Sequence, residues 1–321
     1  MEISSPFTIK YRPRNLDDFQ MNADLRNVLH TFICLEKLNI LLLGNSGSGK
    51  TSLIHAIINH YYGFDVPNNC ENILSINTIK DQGISYYRNE MRVFCQTSSV
   101  IPGKKKILLL DDIDMINEQS QQVFRNCIDK YSHNVAFISS CCNSQKVIDS
   151  LQSRMDIVKI FPYGNNELTS IATTISQLEG INMSDEVVNF ITTVCNGSVR
   201  ILVNYLEKFK LVDMEISIEL ASELCTNISF KELAKYTESC KTGDLKSALC
   251  VMKKLIEKGY SVTDILDNYF TFVKITDLLN EEAKYKIIPF ICKYITIFHN
   301  LHEDEIELIF FTNNIVNAIY N

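Results

Sequence analysis

The stretch Asn39-Ile40-Leu41-Leu42-Leu43-Gly44-Asn45-Ser46-Gly47-Ser48-Gly49-Lys50-Thr51 decides the fold. Its first five residues read as a buried strand. Residues 44–51 have the Gly-x-x-x-x-Gly-Lys-Thr spacing of a phosphate-binding loop. The segment Ser52 to Tyr61 then places Leu53, Ile54, Ile57 and Ile58 at helical spacing. Strand, glycine loop and helix together are the context the motif requires. Gly44, Gly47 and Gly49 let the backbone turn tightly, so successive N–H groups face one hollow, and the helix N-terminus adds its dipole. Lys50 reaches phosphate as a mobile point charge, and the Thr51 hydroxyl is placed to bind Mg²⁺. The ATP-binding set is therefore Gly44, Asn45, Ser46, Gly47, Ser48, Gly49, Lys50, Thr51 and Ser52. A glycine-rich turn with a chance Lys-Thr is the alternative, and the flanking strand and helix count against it.

About 60 residues later, Lys106-Ile107-Leu108-Leu109-Leu110 forms a second apolar run and ends in Asp111-Asp112-Ile113-Asp114. Carboxylates at the carboxyl end of a parallel strand lie in the crevice where α/β sheets bind ligands. Asp111 fits the Mg²⁺ shell, and Asp112 fits a group that orients or deprotonates the attacking water. A solvated acidic turn is the bland alternative, weakened by the phosphate loop before it. The two motifs imply a nucleoside triphosphatase with ATP and Mg²⁺ as cofactors.

The chain has 321 residues, 46% of them hydrophobic and 21% charged, an ordinary globular balance with room for two or three domains. The net charge of −7 excludes a uniformly basic surface, so any nucleic-acid footprint is a local patch. No apolar run approaches the ~20 residues of a membrane span, and Met1-Glu2-Ile3-Ser4 opens no signal peptide. Eleven cysteines without a Cys-x-x-Cys pair read as reduced thiols of an intracellular protein, and Cys141-Cys142 as strand filler. His299 and His302 have the spacing of a metal pair but no third ligand.

Ile73 to Ile76, Val135 to Ser140 and Ile157 to Phe161 add three candidate strands, separated by helical stretches. That alternation predicts a parallel sheet covered by helices, an α/β P-loop ATPase domain over residues 1–161. Pro162-Tyr163-Gly164-Asn165-Asn166 is a break. Beyond it the pattern is helical, with helices over Glu167 to Leu178, Ser184 to Cys195 and Ser198 to Lys210, a small lid domain over 162–227. Residues 228–321 form a third, all-α domain with apolar stripes such as Ile265, Tyr269 and Phe272.

Several short motifs, in order along nearly the whole chain, resemble the small subunits of replication factor C, the sliding-clamp loader of the AAA+ class. Lys10-Tyr11-Arg12-Pro13 precedes Leu16-Asp17-Asp18. The resemblance implies that Tyr11, Arg12 and Pro13 lie against adenine and ribose. Residues 77–90, Asn-Thr-Ile-Lys-Asp-Gln-Gly-Ile-Ser-Tyr-Tyr-Arg-Asn-Glu, are similar to the family's Asn-Ala-Ser-Asp-Asp-Arg-Gly-Ile segment and its following helix. Phe137 to Asn143 ends in Cys-Asn like the sensor-1 strand, which implies Asn143 near the γ-phosphate. Ser153-Arg154-Met155 is similar to the Ser-Arg-Cys motif, whose arginine reaches the ATP of a neighbouring subunit. Gly197-Ser198-Val199-Arg200 matches the sensor-2 helix start, which implies that Arg200 touches the subunit's own ATP. Gly259-Tyr260-Ser261 before Asp264-Ile265-Leu266 resembles the collar domain. The partners so implied are other clamp-loader subunits in a hetero-oligomeric ring, a pentamer, together with a sliding clamp and primer–template DNA. The implied location is the nucleus or a site of viral DNA replication.

Read from the residues alone, Arg154 follows a polar turn and is either a phosphate fork or a surface arginine. Arg200 near a helix N-terminus opposes the dipole, which an anionic ligand or plain solvation would resolve. Asn143 also reads as a turn residue. Lys80 and Arg88 are the candidate DNA contacts, with a solvated helix face as the alternative. Lys104-Lys105-Lys106 reads as a solvated turn. Four departures from the family stand out: Asp112 where glutamate is usual, Asn45-Ser46 for Pro-Pro, Gln82 for an arginine, and Met155 for cysteine. Aspartate is one methylene shorter, so a water held by it shifts by about 1 Å, enough to slow hydrolysis. The combination marks a diverged member, with a virus among the sources it fits.

Overall fold

The computed structural model describes residues 5–63, 71–76, 84–212, 214–225, 228, 230–300 and 305–320. They form two compact units. One comprises Met1–Ile175 with Cys195–Glu207, and the other Ser176–Val194 with Lys208–Asn321.

The first unit is built on five strands: β1 Ile40–Gly44, β2 Ile73–Ile76, β3 Lys106–Leu110, β4 Val135–Cys141 and β5 Asp156–Ile160. All five were expected from the sequence, with ends that agree within one residue. Every neighbouring pair is parallel, in the order β2-β3-β4-β1-β5. The strands read as unbroken apolar runs because both faces are covered. Ile40, Leu42, Ile107, Leu109, Ala136 and Ile138 pack on one face, under helices α2 (Ala23–Cys34) and α3 (Lys50–Tyr62). Leu41, Leu108, Leu110, Val135 and Phe137 pack on the other, under α4 (Ile84–Gln96) and α5 (Glu118–Tyr131). This alternation is the period-2 geometry of a strand with two buried sides. Short helices α1 (Phe7–Lys10) and α6 (Asp149–Gln152) complete the layers.

One expectation fails here. Lys106 is not in a solvated turn: its residue is only 4% exposed and begins β3. Its ammonium donates to Phe94 O at 3.2 Å and Thr97 Oγ1 at 2.5 Å, and sits 4.2 Å from the Phe94 ring centroid. A buried charge survives only with such partners. Lys105 donates to Ser132 O, and Lys104 lies over the Tyr61 ring. A run of three lysines looks solvated in sequence because its strand neighbours are remote in the chain.

After β5 come α7 (Asn165–Glu179), α8 (Asp185–Cys195), α9 (Val199–Val212) and α10 (Ile218–Cys225). The first three were expected; α10, only 8 residues long, was not. In the second unit, α11 (Phe230–Lys241), α12 (Leu245–Glu257), α13 (Val262–Ile275), α14 (Glu281–Asn300) and α15 (Glu305–Tyr320) surround a core that includes Tyr236, Tyr269, Phe272 and Phe311. The collar-like motif is a helix junction. Gly259 takes φ +91° after α12, and Ser261 caps α13 by accepting the Asp264 N–H at 3.0 Å.

Candidate nucleotide site

Because the sheet is parallel, the loops that follow β1, β3, β4 and β5 gather at one edge. The phosphate loop follows β1. Gly47 and Gly49 take φ +77° and +88°, a region closed to most side chains, and Gly49 opens α3 directly onto the loop. Lys50 is buried and folded over the loop, its Nζ donating to Gly44 O at 2.8 Å and Asn45 O at 3.0 Å. Cys142 Sγ lies 3.2 Å away. Asn45 and Ser46 are exposed, and Ser52 is half-buried in the first turn of α3. Ser48 is 3% exposed, yet its hydroxyl has no hydrogen-bond partner among the described residues. A buried orphan hydroxyl in a nest of N–H groups fits a loop built to receive phosphate oxygens.

The acidic motif meets this loop. Thr51 Oγ1 donates to Asp111 Oδ2 at 2.7 Å, and the Ser140 hydroxyl donates to the other carboxylate oxygen. Hydroxyl and carboxylate are the oxygen donors that Mg²⁺ takes, so the residues present fit ATP with Mg²⁺. Asp112 follows in the left-handed region, φ 51° and ψ 53°, with its N–H donating to Ser140 Oγ at 3.1 Å. Aspartate tolerates that conformation better than most side chains. Burial raises the Asp112 pKa and the Asp111 charge adds to the rise, while Lys50 and Arg200 oppose it. Asp114 Oδ2 accepts the N–H groups of Cys142 and Asn143 at 3.1 and 3.0 Å, tying the end of β4 to the acidic turn.

The remaining candidates divide between this edge and elsewhere. Helix α9 starts against the loop: a Cβ at Gly47 would overlap Ser198 Oγ and lie 3.5 Å from Arg200 Cβ. Arg200 is the second residue of α9, where the dipole disfavours a cation. Arg12 Nη2 donates to Thr51 O at 3.1 Å, and its buried Nε has no partner among the described residues. Burial lowers the Arg12 pKa against the pull of Asp111. Tyr11 and Pro13 are half-buried beside it. Asn143 is exposed, and its Oδ1 accepts the Gln145 N–H at 2.9 Å, so the turn role read from sequence is present. Arg88 is exposed on α4, and Lys80 lies outside the described residues. His302 and the His299 side chain also lie outside them; no group of three or more metal-binding side chains occurs among the described residues.

Arg154 is at the opposite edge. It precedes β5, whose Asp156 pairs with Ile40 and whose Ile160 pairs with Gly44. Five residues of strand, at ~3.3 Å each, put roughly 16 Å between Arg154 and the subunit's own loop. Its Nε meets Asp129 Oδ1 at 2.5 Å.

Sequence reading missed Ser140, Asp114, His55 and Asp129. His55 lies on α3 one turn beyond Thr51, with its pKa lowered by burial and by Arg12, against Asp111. Ser139-Ser140 inside an apolar strand was the available signal for Ser140.

Residues 40–163 match the ATPase family associated with various cellular activities, and residues 229–294 match the replication factor C C-terminal domain. A protein of Acanthamoeba polyphaga mimivirus named as a replication factor C small subunit is 26% identical over 289 residues, 90% of this chain and 89% of the relative. Replication factor C subunit 4 of Schizosaccharomyces pombe is 27% identical over 293 residues, 88% of this chain and 82% of the relative. Among solved structures, the Thermotoga maritima RuvB Holliday junction branch migration motor aligns at TM-score 0.53 and 17% identity, over 71% of this chain and 78% of that one. That likeness concerns the fold alone. Fold and site together define an AAA+ P-loop ATPase. Within that class, the chain is similar to replication factor C small subunits over most of its length. No described helix is long and apolar enough to cross a membrane.

Proposed function

We propose that this chain is an ATP-hydrolysing subunit of a hetero-oligomeric ring, a pentamer, that opens a sliding clamp and loads it onto primer–template DNA. One observation carries the reading. The loop that receives ATP and the arginine suited to its transition state occupy opposite edges of one sheet. A site so divided is completed only by a second subunit.

The three parts of the proposal are a catalytic domain over 1–161, a lid over 162–227 and a collar over 228–321. In the ring, Lys50 and the loop N–H groups grip the triphosphate, and Arg200 reports its presence to α9. Thr51 and Asp111 hold Mg²⁺, which neutralises phosphate charge when bound. Asp112 orients the attacking water, Asn143 stands beside it, and Arg154 serves the neighbour's nucleotide. Tyr11, Arg12 and Pro13 back the nucleotide, while Arg88 and Lys80 touch DNA phosphates. The site of action is the nucleus or a viral replication site.

A second reading, a subunit that binds ATP with little turnover, is favoured by Asp112. It is shorter than glutamate, and its backbone is held in the left-handed region.

Reconstitution with the co-purifying subunits tests the function. The expected result is ATP-dependent retention of the ring clamp on primed circular DNA, released by linearisation. ATP hydrolysis without clamp retention contradicts it.

A further inference from the structure

Arg154 does not stand alone at the amino edge of the sheet. Asp129, on α5, offers its Oδ1 to Arg154 Nε at 2.5 Å and its Oδ2 to Arg125 Nη2 at 3.3 Å. Arg125 lies one turn before Asp129 on the same helix, so its contact follows from the i, i+4 spacing. Arg154 comes from the turn after α6, 25 residues on. Arg154 Nη1 donates to Ser150 O at 2.6 Å and faces Ser153 Oγ at 3.4 Å. Among the described residues Nη2 donates no hydrogen bond. The guanidinium is therefore held on two sides and left open on one.

The charges are arranged to match. Two arginines share one carboxylate, leaving one net positive charge. All three side chains keep about a third of their surface, 31% for Arg154, 34% for Arg125 and 37% for Asp129. Exposed ion pairs of this kind add little to stability. Holding a long, flexible arginine in one orientation before an anion arrives is worth more, because misplacement by about 1 Å costs up to ~10²-fold in rate.

We propose that Asp129 is the positioning residue of Arg154: gripped from behind by Arg125, it fixes the guanidinium with Nη2 directed toward the triphosphate of the neighbouring subunit. The inference rests on the trans role proposed above for Arg154. Arg154, through its hydrogen bond, holds the Asp129 carboxyl below its ordinary range, so the grip extends toward acid pH.

The test is a mutant cycle in the reconstituted assembly, reading kcat and KM for ATP with clamp and primer–template present. Arg154→Ala defines the Arg154-dependent share of kcat. Asp129→Asn is expected to lower that share by 10- to 100-fold with KM within about twofold. Asp129→Glu should recover most of it, and Asp129→Asn should add nothing in an Arg154→Ala background. If Asp129→Asn does not assemble, Asp129→Ser is held to the same criteria. Loss with Arg154→Ala but not with the Asp129 variant overturns this inference alone. So does a rise in rate with Asp129→Asn, which would make the contact a restraint. No loss with Arg154→Ala overturns the trans reading and this inference with it.

Discussion

The two edges of the sheet differ in how they are finished. At the carboxyl edge three charged groups are tied to internal partners: Lys50 on loop carbonyls, Asp111 on Thr51 and Ser140, Asp114 on two backbone N–H groups. At the amino edge, Arg154 is tethered by Nε and Nη1 and otherwise faces outward. In the proposed function one edge binds the nucleotide and the other presents a charge to a neighbouring subunit. Parallel strands make the separation unavoidable, since β1 ends where the loop begins and β5 begins beside Arg154.

The largest expected effect within the carboxyl edge is at Asp112. Asp112→Asn should keep ATP binding and lower turnover by about 10²–10⁴-fold, the usual worth of a positioned acid–base group. Asp112→Glu should keep or raise turnover by restoring reach to the water. Unchanged hydrolysis by Asp112→Asn in the assembly would remove Asp112 from the water-positioning role.

Lys50→Ala comes next. It should weaken nucleotide affinity by about 10²-fold, the value of a lost charge-assisted bond of ~2–3 kcal/mol. Fluorescent-nucleotide titration on a variant of unaltered melting temperature reads this. Normal affinity would move the binding site away from the loop and dissolve the contrast between the edges.

Ser140→Ala sharpens the contrast further. The hydroxyl links the Asp111 carboxylate to the Asp112 N–H. Its loss should lower kcat by about 5- to 10-fold, near 1 kcal/mol, with nucleotide affinity held. A purely structural serine would lower the melting temperature and leave kcat alone.

The smallest effect belongs to Arg88, exposed on α4. Arg88→Ala should reduce the salt slope of log K for primer–template binding by about 0.7–0.9, one phosphate contact. An unchanged slope returns it to a solvated helix face.

The parts legible in the sequence share a physical reason. Glycines at positive φ, a lysine at fixed spacing and apolar strand runs are local features, so the loop, β1 and β3 were read within one residue. Partners across the sheet were not local. Nothing in residues 104–106 says that Lys106 will be buried against Phe94 and Thr97. Nothing near Arg154 names Asp129, which sits a helix away. Ser140 looked like part of a strand because its role depends on β3 lying next to β4. Short α10 fell below the length at which helical periodicity stands out.

The division of one catalytic site between two subunits is the central claim, and Arg154→Ala tests it most directly. In an assembly carrying this substitution in this chain alone, ATP binding to the chain's own loop should stay within about twofold. Hydrolysis at the neighbouring site should fall by roughly 10³–10⁵-fold, the worth of an arginine finger. If the chain rings with itself, mixing Arg154→Ala with Lys50→Ala subunits should restore activity, because one interface then holds Lys50 from the first and Arg154 from the second. Full hydrolysis at every interface despite Arg154→Ala would contradict the account.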